Sequence, residues 1–231
     1  MFGANKKLKP LQKELKNTGT DKKAVREWMK LYQKVNKNYP KVKSVYDGER
    51  AKLENLYHLL KHMESCFVAG GDVKVALKKD VESFKKVKEF AGHEFLVDKG
   101  NTEFSLTFSR LKTMMSSIKK ISEKDMLFLH SEIENLSDMI KEILENKVPN
   151  LYALTFYMMT RSESQLKDLP YEEKMRKVEQ NYKQGFRKPM EDVLLVAMKQ
   201  ANRNTPILYG NEDKTTEERI DYIMEEWIWR Y

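Results

Sequence analysis

The sequence predicts an all-α protein made of three long, kinked, amphipathic helices joined by short connections. Apolar residues recur in alternating steps of three and four along most of the chain, and this spacing lines one face of a helix. Glycine and proline, which interrupt helices, fall mainly at the breaks between these periodic stretches. No stretch has the alternation of apolar and polar residues that is typical of a half-buried strand.

The first predicted helix carries an apolar seam with a 3.5-residue repeat over six heptads. Twelve of its thirteen positions are apolar, and a repeat of this length predicts a coiled coil. Pro40 predicts a bend near Tyr39, and Gly48 weakens the helix shortly afterwards. The seam consists of Val25, Trp28, Tyr32, Val35, Tyr39, Val42, Tyr46, Glu49, Leu53, Leu56, Leu60, Met63 and Phe67.

The second and third helices are predicted from similar signals. VAGGD at 68–72 marks the first break, and a second helix begins near Asp72, pauses at 98–101 and continues through Pro149, which predicts a kink. Gly185 and Pro189 predict the next turn, after which the third helix starts. Thr215 or Thr216 is expected to cap the last helical stretch.

The composition indicates a basic, strongly charged surface. Forty-three Lys and Arg residues stand against thirty-five Asp and Glu, for a net charge of +8. This balance favours anionic partners such as phospholipid headgroups, nucleic acid or acidic proteins, although long solvated helices carry many charges in any case.

A single cysteine excludes an internal disulfide or a multi-cysteine zinc site. No apolar run reaches the length of a membrane span, and the basic start lacks the features of a secretory signal, so a cytoplasmic protein is predicted.

Catalytic and metal-binding patterns are weak, and the chain is not expected to be an enzyme or to hold a cofactor. His58 and His62 lie four residues apart, but the motif lacks the glutamate of a His-Glu-x-x-His site, and Glu54 and Cys66 are the nearby candidates for further ligands. We therefore interpret both as ordinary surface histidines. Cys66, at the end of the apolar seam, is interpreted as a buried structural thiol.

A basic cluster at 181–190 is the strongest candidate for a binding surface. It contains Lys183, Arg187 and Lys188 without an acidic residue, and Phe186 lies beside Gly185. A turn with three cations and an aromatic ring is suited to an anionic bilayer, where each cation contributes about 1 kcal/mol. The alternative is a solvated turn whose Phe186 folds back on its own helices.

Three segments together resemble the BAR (Bin/amphiphysin/Rvs) domain family. ENKVPNLYAL places a proline and a leucine within the second helix, LKDLPYEEKMRK resembles a Leu-Asp-Tyr-Asp-like segment that precedes the tip, and the chain closes with IDYIMEEWIWRY. The resemblance covers residues 21–231 in helix order and length. It implies a crescent-shaped homodimer of antiparallel three-helix coiled coils that binds, senses or bends anionic membranes through basic surfaces and tips.

The resemblance also implies a set of membrane-contacting residues. Within residues 21–231 these are Arg161, Lys167, Lys174, Lys177, Lys183, Phe186, Arg187 and Lys188. The family often has a basic run before the Leu-Asp-Tyr-Asp-like segment, and this chain retains only Arg161 and Lys167 of it. Pro170 stands where the family has an acid. Tip binding is therefore favoured over binding through the concave face.

Residues 1–20 are predicted to form a separate amphipathic segment, because some BAR proteins have a membrane-folding helix before the domain. Leu8, Leu11 and Leu15 share one helical face, and Pro10 is expected to mark the start of the helix. The alternative is a disordered basic arm. The predicted membrane-contacting lysines of this segment are Lys6, Lys7, Lys9, Lys13 and Lys16.

Two functions remain open at this point. The first is a peripheral, cytoplasmic membrane-binding protein that senses or shapes curvature during membrane trafficking such as endocytosis. The second is a coiled-coil adaptor that binds acidic proteins such as a small GTPase. Nucleic acid is not an expected partner, since no recognition-helix or aromatic-basic motif is present.

Overall fold

The computed structural model describes residues 3–88, 96–97, 101–146, 150–160, 166–202, 204–210 and 213–229. All regular elements within these ranges are helical, which confirms the all-α prediction. Among the described residues, no helix combines the length and the hydropathy needed to cross a bilayer. The predictions for Pro149, Arg161 and 98–100 concern positions outside the described residues.

The helices, in chain order, have the following bounds. The N-terminal half contains α1 (Gly3–Asn17), α2 (Lys22–Val68), α3 (Val73–Ala76), α4 (Lys78–Lys86), α5 (Thr102–Ser116), a 3₁₀ turn (Ile118–Lys120) and α6 (Glu123–Asn146). The C-terminal half contains α7 (Leu151–Thr160), α8 (Tyr171–Tyr182), a π-helical turn (Lys183–Arg187), α9 (Lys188–Gln200), α10 (Pro206–Tyr209), α11 (Thr216–Tyr222) and a second π-helical stretch (Ile223–Trp229).

The chain divides into two compact units. Unit 1 comprises residues 1–40, 151–167 and 176–231, and unit 2 comprises residues 41–150 and 168–175. Unit 1 thus combines the start and the end of the chain, whereas unit 2 is formed mainly by its middle.

The predicted seam of the first helix is buried. α2 continues through Pro40 and Gly48 as one helix of 47 residues. Eleven of the thirteen seam positions are buried, and the other two, Tyr39 and Phe67, are half-buried. The 3.5-residue periodicity therefore identified the core face of this helix correctly.

The second predicted helix is wrong as a single element, because the structure divides it into several helices. One break follows α5, where the hydroxyls of Thr113, Ser116 and Ser117 donate to the carbonyls four residues earlier at 2.8–3.0 Å. Such bonds compete with the backbone ladder and disturb a helix end. Ser122 then starts α6, since its hydroxyl accepts from the Asp125 amide at 3.2 Å.

Hydrogen bonds define several helix starts, and those near Asp72 and Thr215 confirm the prediction. Asp21 accepts from the Lys23 amide at the start of α2, and Asp72 accepts from two amides at the start of α3. The VAGGD break is a true loop, in which Gly70 and Gly71 have positive φ angles. Thr215 caps α11 in a reciprocal arrangement with Glu218, so the first of the two predicted threonines is the cap.

The N-terminal segment is a helix that belongs to the core of unit 1. α1 begins at Gly3 and passes through Pro10, so the expectation that the helix starts at the proline is wrong. Leu8, Leu11 and Leu15 are buried, and α1 packs against α10 and the second π-helical stretch. The apolar face that was expected to embed in a membrane therefore packs inside the protein.

Candidate anion-binding site

The predicted basic turn at 181–190 is a helix, so the prediction of a turn at Gly185 and Pro189 is wrong. α8, the π-helical turn and α9 follow one another without a loop. Pro189 has no amide hydrogen for the carbonyl of Gly185 and its ring crowds that carbonyl, and we attribute the wider π-helical turn to this conflict. Gly185 instead permits close packing, because a Cβ there would lie 3.0 Å from Cζ of Phe156.

Phe186 is fully buried, so it does not present a ring to a membrane. Its ring centroid lies 5.2 Å from that of Trp28, 5.5 Å from that of Tyr182 and 5.7 Å from that of Phe156. The Trp28 indole Nε1 also donates to the carbonyl of Phe186 at 2.9 Å. The ring folds back on its own helices, as the alternative interpretation stated, because burying it inside an aromatic cluster removes a large apolar surface from water.

The three cations of this segment pair with acidic side chains of unit 1. Each has an acidic partner one helical turn away, and Arg187 also binds an acid from α11. These pairs reduce the net positive charge of the segment, which was expected to attract lipid. The pairs are Lys183 with Glu179 at 3.7 Å, Arg187 with Glu191 at 2.7 Å and with Asp221, and Lys188 with Asp192 at 2.9 Å.

The remaining predicted membrane residues are distributed over different surfaces. Lys9, Lys13 and Lys16 are exposed along α1, as are Lys167 and Lys177 in their own segments. Lys174 is only 8% exposed, which contradicts its assignment to a lipid-facing surface. It shares the buried face of α8 with Tyr171, so its aliphatic stem packs toward the core. Arg161 and the side chains of Lys6 and Lys7 lie outside the described residues.

A different basic site is formed in unit 2, by a cleft of about 700 Å³ between α3, α4 and the 3₁₀ turn after α5. Five lysines and one glutamate line it, together with small polar and aliphatic side chains. We call this site the lysine cleft. Its charged residues are Lys74, Lys78, Glu82, Lys85, Lys119 and Lys120, and its other lining residues are Val75, Val81, Ser116, Ser117 and Ile118.

The walls of the lysine cleft are held in place by core contacts. Leu77, Val81 and Phe84 bury one face of the segment that carries Lys74, Lys78 and Lys85. The ring of Phe84 packs on that of Phe108 of α5, with centroids 5.4 Å apart. The Lys74 ammonium donates to the carbonyl of Ile121 at 2.6 Å, which links α3 to the segment that follows the 3₁₀ turn.

The electrostatic balance of the cleft is positive. Lys85 forms an exposed ion pair with Glu82 at 2.9 Å, and the hydrogen bond and charge of Lys85 lower the pKa of Glu82, with smaller contributions from Lys86 and Lys119. In the part of the chain that the structure describes, no carboxylate pairs with Lys78, Lys119 or Lys120. These three exposed ammonium groups are therefore available to an anion.

The cleft also has an apolar border. Val75 lines it and is 69% exposed, which is high for a valine in a folded unit. Ammonium groups beside an exposed aliphatic side chain suit a ligand that has a phosphate or carboxylate next to hydrocarbon.

The lysine cleft is not apparent from the sequence alone. Lys74, Lys78 and Lys85 lie at spacings of four and seven, which place them on one side of a helical segment, and this was the available signal. The pair Lys119–Lys120 by itself indicates no more than a solvated helix face. More than thirty residues separate Lys85 from that pair, so only tertiary packing brings the two groups together.

Comparison of the chain with protein-family models, with curated proteins and with solved structures finds no match. The candidate site is therefore interpreted from its own residues.

Proposed function

We propose that this protein binds anionic membrane surfaces peripherally and that the lysine cleft of unit 2 is its principal lipid contact. The observation that carries the proposal is the convergence of Lys78, Lys119 and Lys120, without acidic partners among the described residues, around a cleft bordered by exposed Val75. Each lysine near an anionic bilayer contributes about 1 kcal/mol, so three such groups are sufficient for reversible, salt-sensitive binding.

The geometry of the cleft favours the entry of lipid headgroups into it over contact between a flat charged surface and the bilayer. A cleft of about 700 Å³ is large enough to accept a phosphorylated headgroup, whose oxygens accept hydrogen bonds from several ammonium groups at once. Val75 is positioned to enter the layer between headgroups and acyl chains, where a small aliphatic residue adds modest apolar burial.

The finer parts of the proposal rest on the sequence resemblance. We propose on that basis that the protein acts in the cytoplasm as a crescent-shaped homodimer of antiparallel coiled coils, senses or shapes curvature, and has no enzymatic activity. Light scattering coupled to size-exclusion chromatography tests the dimer, and a monomeric mass at micromolar concentration would remove it. The lysine cleft lies within unit 2, so headgroup binding does not depend on the dimer.

Vesicle co-sedimentation tests the proposed function directly. The full-length protein is mixed with vesicles of phosphatidylcholine alone, or of phosphatidylcholine with phosphatidylserine or a phosphoinositide, at low and high salt. We expect pelleting only with anionic vesicles and loss of pelleting as the salt concentration rises, because screening shortens the range of the lysine charges.

A pair of matched double variants locates the contact. Lys119→Gln with Lys120→Gln should weaken partitioning by about 10- to 30-fold, the equivalent of about 1 kcal/mol for each lysine. Lys183→Gln with Lys188→Gln removes the same charge from two exposed lysines that are paired with acids, and should change partitioning less than about threefold.

Three outcomes would overturn the proposal. An absence of salt-dependent pelleting with anionic vesicles would remove membrane binding, and an equal effect of the two double variants would remove the cleft as the contact. If the protein does not bind vesicles but binds a polyglutamate peptide through Lys119 and Lys120, the adaptor function for acidic protein partners replaces the membrane function.

A further inference from the structure

Unit 2 contains a second cluster with ligand chemistry, in which an imidazole, a thiol and a carboxylate converge. His62 and Cys66 lie one turn apart on α2, and Asp80 projects from α4. The His62 Nδ1 atom lies 2.7 Å from Asp80 Oδ2, and the Cys66 Sγ atom lies 3.9 Å from the same oxygen. All three potential ligand atoms lie within 4.8 Å of one another.

We propose that His62, Cys66 and Asp80 form a binding site for a divalent transition-metal ion, with Zn²⁺ as the best match. Zinc accepts imidazole nitrogen, thiolate sulfur and carboxylate oxygen, and sites with three protein ligands keep a fourth position for water. Nothing in the proposed lipid-binding function requires this site, since none of its residues lines the lysine cleft.

The distances are close to those of a tetrahedral site. Bonds of about 2.0–2.3 Å at tetrahedral angles separate neighbouring ligand atoms by about 3.3–3.8 Å. The gap between Cys66 and Asp80 is already near this range, whereas the His62 nitrogen must retreat from Asp80 by about 0.6 Å to admit the ion. The His62 side chain is 67% exposed, so it has the freedom to make this movement.

Burial divides the three ligands into a fixed pair and an adjustable partner. Cys66 and Asp80 are buried, and their positions are set by the core of unit 2. His62 lies at the surface and provides the route by which an ion and its water enter. The buried Asp80 carboxylate already accepts from His62 and faces the thiol, an arrangement that a metal ion would stabilise more strongly than a single hydrogen bond does.

The proton balance of binding is simple. The Nδ1 proton of the imidazole, which bonds to Asp80 before binding, exchanges with solvent while Nε2 takes up a proton, so that the neutral ring gives its Nδ1 lone pair to the ion. The carboxylate binds as an anion, and the thiol loses its proton to solvent as the sulfur–metal bond forms. An ordinary thiol has a pKa of about 8.5 and is protonated at neutral pH before it binds an ion. One proton per ion is therefore released.

Titration of the full-length, reduced protein with Co²⁺ tests the site. We expect a sulfur-to-cobalt charge-transfer band in the near ultraviolet, bleaching of that band by one equivalent of Zn²⁺, and release of one proton for each ion in weakly buffered solution. The absence of the band with excess Co²⁺ would overturn the proposal.

Variants separate the site from adventitious binding. His62→Gln alters an exposed residue, so the fold should persist, and we expect affinity to fall by at least about tenfold. Cys66→Ser should abolish the charge-transfer band, with helicity checked by circular dichroism. His58→Gln removes a second exposed histidine one turn earlier on α2 and should leave the affinity unchanged. An equal loss in the His58 and His62 variants, or none in either, would contradict the assignment.

Discussion

The basic segment at 181–190 in unit 1 and the lysine cleft in unit 2 contain similar residues but hold their cations differently. In unit 1 each cation has an acid one helical turn away, and the aromatic ring is buried. In the cleft, Lys78, Lys119 and Lys120 have no carboxylate partner among the described residues, and an aliphatic residue is exposed beside them. The availability of a basic residue thus depends on its neighbours in space more than on the local abundance of lysine.

The difference also shows how the sequence interpretation failed. The segment 181–190 contains no acid, but its partners Glu179, Glu191 and Asp192 lie just outside that window. They become neighbours only because the segment is helical and not a turn, since helix surfaces bring residues i and i+4 together. An incorrect secondary structure therefore led directly to an incorrect electrostatic interpretation.

The largest expected effect comes from removing the buried ring of Phe186, which tests the unit 1 side of this comparison. Phe186→Ala should lower the free energy of unfolding by about 3–5 kcal/mol, because it leaves a cavity beside Trp28 and Phe156. Phe128→Ala, at a ring of unit 2 that is 50% exposed, should change it by less than about 1 kcal/mol. Urea unfolding followed by circular dichroism measures both. Equal, small effects would show that Phe186 does not hold unit 1 together.

Alkaline pH should also weaken unit 1, by a smaller amount. Burial raises the pKa of Tyr32 to about 12, and burial raises those of Tyr152 and Tyr182 as well. The folded state then retains phenol protons that the unfolded state has released, so the stabilising contribution is complete below pH 10 and is lost as the pH rises to 12 and above. Phenolate absorbance and helicity, followed together against pH, should change in the same range. Ionisation of all eleven tyrosines near pH 10 with full helicity would contradict this expectation.

The smallest expected effects concern helix caps, for which each unit supplies one example. Thr215→Ala in unit 1 and Asp72→Ala in unit 2 each remove a side chain that accepts from backbone amides, and each should cost about 1 kcal/mol. Thermal unfolding of the two variants measures this cost. Because neither residue lines the lysine cleft, both should bind anionic vesicles like the wild type, and a selective loss in Asp72→Ala would indicate that the cap also positions Lys74.

The parts of the fold that follow from local pattern were predictable. The apolar seam from Val25 to Phe67 identifies the buried face of α2, because the 3.5-residue repeat needs no knowledge of what packs against it. The caps Asp72 and Thr215 were likewise recognisable from residue type and position. The break after α5 was not, because Ile118 and Met126 extend the apolar pattern across a region where hydroxyl groups compete for the backbone.

The sites required tertiary information that no local pattern carries. His62 and Cys66 were noticed on α2, but Asp80 joins them only because α4 packs beside that helix. The lysine cleft likewise combines lysines that are more than thirty residues apart in the sequence. The leucines of α1 show the reverse case, since their amphipathic pattern is real but its partner is the end of the same chain.

The burial of Cys66 has a practical consequence for following the motions of this protein. It is the only thiol in the chain and lies in unit 2, whereas all three tryptophans, at 28, 227 and 229, belong to unit 1. The rate at which an aromatic disulfide reagent reacts with the thiol therefore reports how often unit 2 opens, while indole emission reports independently on unit 1. The conformational changes of the two units can thus be followed separately in the unmodified protein.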